Sequence, residues 1–162
     1  MRATIARVAV GVAALLVATL AAQTGQAPSD FALKLIGGLC AGDTIDTFEG
    51  TYTRHIDGER TASARFELAP SEQQRLYQLV TAVDLAAYPE YFNPASSSVT
   101  IPSPVHVITI RRAGVEHTVR WTDIGSRSPE AVRLRGFIRD LRAFFRDRPE
   151  IRRLPKQEAF CM

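Results

Sequence analysis

Apolar residues recur at every second position in five stretches of the chain and at helical spacing in two. Phe31, Leu33 and Leu35 alternate with Ala32, Lys34 and Ile36, which predicts a strand that Gly37-Gly38 ends. Residues 47–56 and 60–68 read as two further strands joined at Asp57-Gly58. A two-residue loop there would put the apolar positions of the two strands on opposite faces. Phe48, Tyr52 and Ile56 are even-numbered, and so are Ala62, Ala64, Phe66 and Leu68. The pattern therefore predicts a bulge or a three-residue loop, with Tyr52 opposite Ala64 and Gly50 opposite Phe66. Residues 105–111 and 115–122 form a second hairpin around Ala113-Gly114. A two-residue loop suits this one and lines up His106, Ile108, Ile110, His117, Val119 and Trp121 on one face.

Two stretches follow the helical period instead. Pro70 and a capping box of Ser71 with Gln74 precede Leu76, Leu79, Val80 and Val83, predicting a helix over 72–83. Ser128-Pro129 opens a second helix. Leu134, Phe137, Ile138, Leu141, Phe144 and Phe145 form its buried face, and Pro149 stops it. Between the helices and strands lies a long irregular segment, residues 84–104, rich in Pro and Ser. The order β-ββ-α-ββ-α predicts a two-layer α+β domain, an antiparallel sheet of about five strands with two helices on one face. The two ββα halves share a layout but not a sequence, so no repeat is inferred.

The N-terminus follows neither pattern. Arg2 and Arg7 precede an apolar run from Val8 to Ala22 that small residues close, the three regions of a secretion signal. The run is shorter than the ~20 apolar residues of a membrane-spanning helix. The expected division is a cleaved signal over 1–22, a short linker over 23–30 and one domain over 31–162, with cleavage after Ala21 or Ala22. Periplasmic or secreted placement follows, a retained membrane anchor is not expected, and nucleic acid is the wrong partner.

Export also changes how charge and cysteine are read. The net charge of +3 includes two signal arginines and no signal acid. The remainder is nearly neutral but uneven: ten basic and five acidic residues from Arg127 onward, eight and twelve over 28–126. Cys40 and Cys161, the only cysteines, are expected to pair in an oxidising compartment and close nearly the whole domain. They lack the CxxC spacing of a redox site, and with three scattered histidines they make no zinc set.

Candidate chemistry is sparse. The hairpin register separates His106 and His117 by four rungs, about 13 Å, too far to share a metal. His55 stands alone near a turn. No nucleophile-with-base arrangement, Gly-x-Ser-x-Gly or phosphate-cradling glycine loop is present, so no catalytic residue, cofactor or metal is assigned. Two surfaces remain. Arg135, Arg139, Arg142 and Arg146 fall at helical spacing opposite the apolar face. They read as a solvated helix face, or as a site for an anionic envelope polymer or lipid headgroup. Tyr88, Tyr91 and Phe92 stand among prolines in the long loop, either as anchors for a partner or as pins onto the sheet.

From about Phe31 to Met162 the chain resembles a group of small exported bacterial proteins of unknown function. The resemblance rests on Phe31-Ala-Leu-Lys-Leu, Asp46-Thr-Phe-Glu-Gly-Thr-Tyr-Thr, Tyr88-Pro-Glu-Tyr-Phe92 and the Pro102 and Pro104 pair before a strand. Trp121-Thr-Asp123 and Pro149-Glu-Ile-Arg-Arg-Leu-Pro155 complete it. It implies no activity. Members are often lipoproteins, and Gly37-Gly38-Leu39 before Cys40 is no lipobox, which points to a soluble exported protein. In layout the chain is also similar to emfourin-type metallopeptidase inhibitors. The shared parts are a hairpin, a helix, a second hairpin with Val107-Ile-Thr-Ile and His117-Thr-Val, and a closing helix. No inhibitory residue is carried over. The expected function is a non-enzymatic binding domain of the cell envelope, its partner an envelope protein; the alternative is a secreted peptidase inhibitor.

Overall fold

The computed structural model describes residues 25–38, 42–57, 59–94 and 103–158. The expected signal, Cys40, Cys161 and residues 95–102 of the long loop lie outside them. Among the described residues the strands are β1 Ala32–Gly38, β2 Thr44–Asp46, β3 Thr51–His55, β4 Thr61–Arg65, β5 Tyr91–Phe92, β6 Val105–Arg112 and β7 Val115–Thr122. They form one sheet in the order β4-β3-β2-β1-β6-β7-β5. All neighbours are antiparallel except β5, which runs parallel to β7. The helices are α1 Pro70–Val83, α2 Pro129–Arg146 and a single turn, α3 Pro149–Arg152.

The α+β class is as expected, but the sheet has seven strands rather than about five and is mixed rather than antiparallel. Two of the strands are too short to show alternation. Residues 47–50, expected inside a strand, are a turn. Asp46 Oδ1 accepts from the amides of Phe48 and Glu49 at 2.9 and 3.2 Å and reverses the chain between β2 and β3. A third helix also departs from the expected two helices on one face: α3 begins at Pro149 and packs beside edge strand β4.

Both hairpins keep the expected register. Tyr52 pairs with Ala64, and Phe66 N donates to Gly50 O at 2.8 Å. Ile56 N donates to Arg60 O, leaving a three-residue loop in which the Asp57 carboxylate accepts from the Glu59 and Arg60 amides. In the second hairpin His106 pairs with Trp121, Ile108 with Val119 and Ile110 with His117. Ala113 and Gly114 both have positive φ, the two-residue turn that matches strand twist, and the Asp30 carboxylate accepts from both amides.

The start of α1 differs from the expected cap. Pro70 itself is the first helical residue, so Ala69 takes the cap position and Glu72 reaches back to the Ala69 amide at 2.8 Å. Gln74 instead accepts from Ala27 N at 2.8 Å, tying the N-terminal segment to the helix. Ser128 caps α2, its Oγ accepting from Ala131 N at 3.2 Å. Leu33, Leu35, Ile45, Tyr52, Ile108, Ile110, Val119 and Trp121 of the sheet share one core with Leu76, Tyr77 and Val80 of α1 and Leu134, Phe137, Ile138, Leu141 and Phe145 of α2. Each fully buried large side chain contributes about 1.5–3 kcal/mol. Phe144, expected in that face, is half-buried, with the Arg75 guanidinium over its ring.

A basic cleft at the end of the sheet

The expected aromatic surface comes apart in the structure. Tyr88 is buried, with its hydroxyl donating to Glu130 O at 2.9 Å. Phe92 is half-buried, edge-on to Tyr88 at 5.0 Å and tilted against Trp121 at 6.2 Å. Short strand β5 imposes this: it adds to β7 through Arg120 N donating to Glu90 O and turns one side of the segment inward. Tyr91 alone of the three is exposed. Tyr88 and Phe92 therefore pin the segment onto the fold.

The arginine stripe behaves in the opposite way. Helical spacing puts Arg135, Arg139, Arg142 and Arg146 along one side of α2, and all four line one cleft at the end of the sheet. Arg135 and Arg142 are partly buried. With Gly38, Pro104, His106, Trp121, Asp123 and Ile138 they line a cleft of about 400 Å³.

Its construction follows from local sequence. Asp123 follows β7, and its Oδ1 accepts from the amide of Gly125, whose positive φ turns the chain toward α2. Twelve residues after Asp123, Arg135 returns to it with Nε and Nη2 both at 2.6 Å and also reaches Ser126 O. The same guanidinium lies 5.6 Å from the Trp121 ring. Burial, the largest single influence, pushes Asp123 up. The Arg135 hydrogen bonds, the Gly125 amide and the Arg135 charge outweigh it and hold the carboxyl below its usual range.

Arg142 closes the other side. Its Nη2 donates to Gly37 O at 2.7 Å. Gly38 has φ 148°, and a Cβ there would stand 2.9 Å from the same guanidinium. A carbonyl orients this cation without neutralising it. Arg139 pairs with its neighbour Asp140 at 2.9 Å, and Arg146 has no ion-pair partner among the described residues. The lining of the cleft thus holds four arginines and one acidic residue, Asp123.

Beneath them His106 and Trp121 pack with ring centroids 5.5 Å apart. Burial, then the charge of Arg142, drives the His106 imidazole down to about 4, so the ring is neutral at ordinary pH. Three buried side-chain polar atoms lack a hydrogen-bond partner among the described residues, and two of them, His106 Nδ1 and Trp121 Nε1, belong to this cleft. The third, Asp43 Oδ1, belongs to a carboxylate that takes the Tyr52 hydroxyl through its other oxygen. Burial, then that bond, pushes Tyr52 up to about 12.

The other expected residues stay apart. His117 meets the Tyr88 carbonyl at 2.9 Å, and His55 lies on β3. Among the described residues no three His, Cys, Asp or Glu groups converge as a metal site would, and no helix is long and apolar enough to cross a membrane. Sequence reading named the four arginines but missed their partners His106, Trp121 and Asp123. The hairpin register, which sets His106 beside Trp121 on the covered face, was the available signal. No family model and no curated protein sequence matches the chain.

Proposed function

We propose that this is an exported, non-enzymatic binding domain of the cell envelope, and that its contact site is the arginine-lined cleft rather than the aromatic loop. One observation carries the reading: the cleft is lined by four arginines and by two buried rings whose nitrogens lack a partner among the described residues, against a single acidic residue, Asp123, which Arg135 already engages through two hydrogen bonds. An excess of fixed cations over a low-dielectric floor attracts anions. The same arrangement is poor for proton transfer. Arginine does not release its proton at physiological pH, Asp123 is held ionised, and His106 is held neutral. The resemblance to small exported proteins supports the compartment, and the signal-like N-terminus supports it independently.

The test is a ¹⁵N NMR titration of the mature chain with anionic envelope material, following the arginine Nε–H signals and the Trp121 indole signal. Binding at the cleft perturbs the Arg142, Arg146 and Trp121 signals and weakens as salt is raised. Perturbation centred on the Tyr91 amide instead would return the site to the loop, and an unperturbed spectrum would sink the binding reading.

A further inference from the structure

We infer that the anion this cleft takes is a phosphate group, carried as a monoester or diester; the inference rests on the cleft being the binding site. The cleft itself shows how it treats a carboxylate. Arg135 meets Asp123 with one fork, Nε and Nη2 both at 2.6 Å, and that pairing uses up the planar group. The cations that remain are Arg139, Arg142 and Arg146, spread over two turns of α2. Three guanidinium groups rising from a helix at that spacing cannot all lie in the plane of one carboxylate. A phosphate distributes its peripheral oxygens tetrahedrally and accepts from forks that arrive in different planes.

The three cations also differ in a way that suits a phosphate group. Arg142 is held in place by the Gly37 carbonyl and keeps its full charge, and Arg146 is unpaired among the described residues. Arg139 is largely exposed and shares its charge only with Asp140. Below them, Trp121 and His106 are 1% and 5% exposed, and Trp121 Nε1 and His106 Nδ1 lack partners among the described residues. An indole N–H can only donate, so its natural complement is an anionic or carbonyl oxygen. Ile138 and Pro104 supply apolar wall beside the cations, and a volume of about 400 Å³ exceeds what a bare phosphate fills. The ligand is thus a phosphate with an organic remainder. Such a group could come from a soluble ester or from a lipid headgroup.

Trp121 is the only tryptophan of the chain, so its fluorescence reports on the cleft directly. The mature chain is titrated at matched ionic strength with inorganic phosphate, glycerol phosphate and succinate. It is also sedimented with vesicles of phosphatidylcholine, with and without phosphatidylglycerol. The expected result is a saturable fluorescence change with the phosphate ligands that succinate does not give. Arg146→Gln, at an exposed position with no side-chain partner among the described residues, is expected to weaken it about ten-fold with an unchanged circular dichroism spectrum. Arg142→Gln weakens it further, and Arg146→Lys restores it only in part. Saturation by glycerol phosphate in solution assigns a soluble ester. Sedimentation only with phosphatidylglycerol, reversed by inorganic phosphate, assigns a headgroup. A response to succinate with none to phosphate overturns the phosphate assignment and leaves an anion cleft standing. Silence towards every anion overturns both, and a phosphate response indifferent to Arg142→Gln and Arg146→Gln places the ion elsewhere and overturns the inference.

Discussion

His106 shows how a single residue acquires a property that its type does not predict. An isolated imidazole titrates near 6.5, and in the folded chain burial and Arg142 bring it to about 4, with Asp123 opposing. Arg135, Arg139 and Arg146 add to the positive side of the same cleft. The unfolded chain therefore takes up a proton between those two values and the folded chain does not. Stability is full above pH 6.5 and falls as pH drops toward 4, where the folded ring protonates too. The loss across that window is on the order of 3 kcal/mol. Replacing His106 with Phe keeps a ring against Trp121 and removes the titration. Urea midpoints measured from pH 7 to pH 4 are expected to fall clearly for the natural chain and much less for His106→Phe. Parallel curves would mean that the ring is not held neutral. The position of His106 was legible in sequence, because hairpin parity sets it opposite Trp121 on the covered face. Its charge state was not, because Arg142 is 36 residues away and reaches it only through the docking of α2.

At the scale of elements, period and parity carried most of the fold. A bulge or a three-residue loop was deducible from even-numbered apolar positions on both strands, since a slip of one would have put Tyr52 and Phe66 on opposite faces of the sheet. Elements with too few residues to show a period escaped: β2 has three, β5 has two and α3 has four. The same limit hid the fate of the aromatic loop, because two residues of pairing are enough to turn Phe92 inward. Gly37 marks a different failure. Its type suggests a strand end, yet β1 continues through it, Gly37 pairing with His106 and Gly38 with Val105. At φ 121° a Cβ on Gly37 would sit 2.0 Å from the Val105 carbonyl oxygen, which is backbone and cannot swing away. Gly37→Ala is expected to cost at least about 2 kcal/mol. It should also disturb the cleft, because the Gly37 carbonyl is what Arg142 holds. A thermal melt together with the Trp121 emission spectrum checks both effects. A variant that melts like the natural chain with unchanged emission would place the end of β1 at Ile36.

For the whole molecule, the uneven charge has two separate destinations. Part of the basic C-terminal third serves internal complementarity. Arg148 pairs with Glu72 at 2.6 Å and Glu150 at 2.8 Å, and it also reaches the Glu67 carbonyl. The rest, along α2, gathers at the cleft. The tail after α3 is itself bound back to the sheet: Arg54 donates to the carbonyls of Leu154 and Pro155, Glu158 N donates to Ile56 O at 2.7 Å, and Arg60 meets the Glu158 carboxylate at 2.7 Å. These contacts are mostly exposed, and exposed ion pairs hold a tail weakly, about 0–1 kcal/mol each. Something stronger is needed if the tail is to stay in place outside the cell, and the expected Cys40–Cys161 bridge would provide it. Closing nearly the whole domain, such a bridge stabilises by about 4–5 kcal/mol in the chain-entropy account. Under the proposed export, the chain is expected to begin at Ala22 or Gln23, to weigh two hydrogens less than its reduced form, and to resist thiol alkylation until reduced. The Cys40→Ser, Cys161→Ser double variant should unfold at a distinctly lower denaturant concentration, and reductant should bring the natural chain to the same midpoint. Two thiols that alkylate freely in the native, unreduced protein would sink the bridge and leave the tail to Arg54, Arg60 and the Ile56 carbonyl alone.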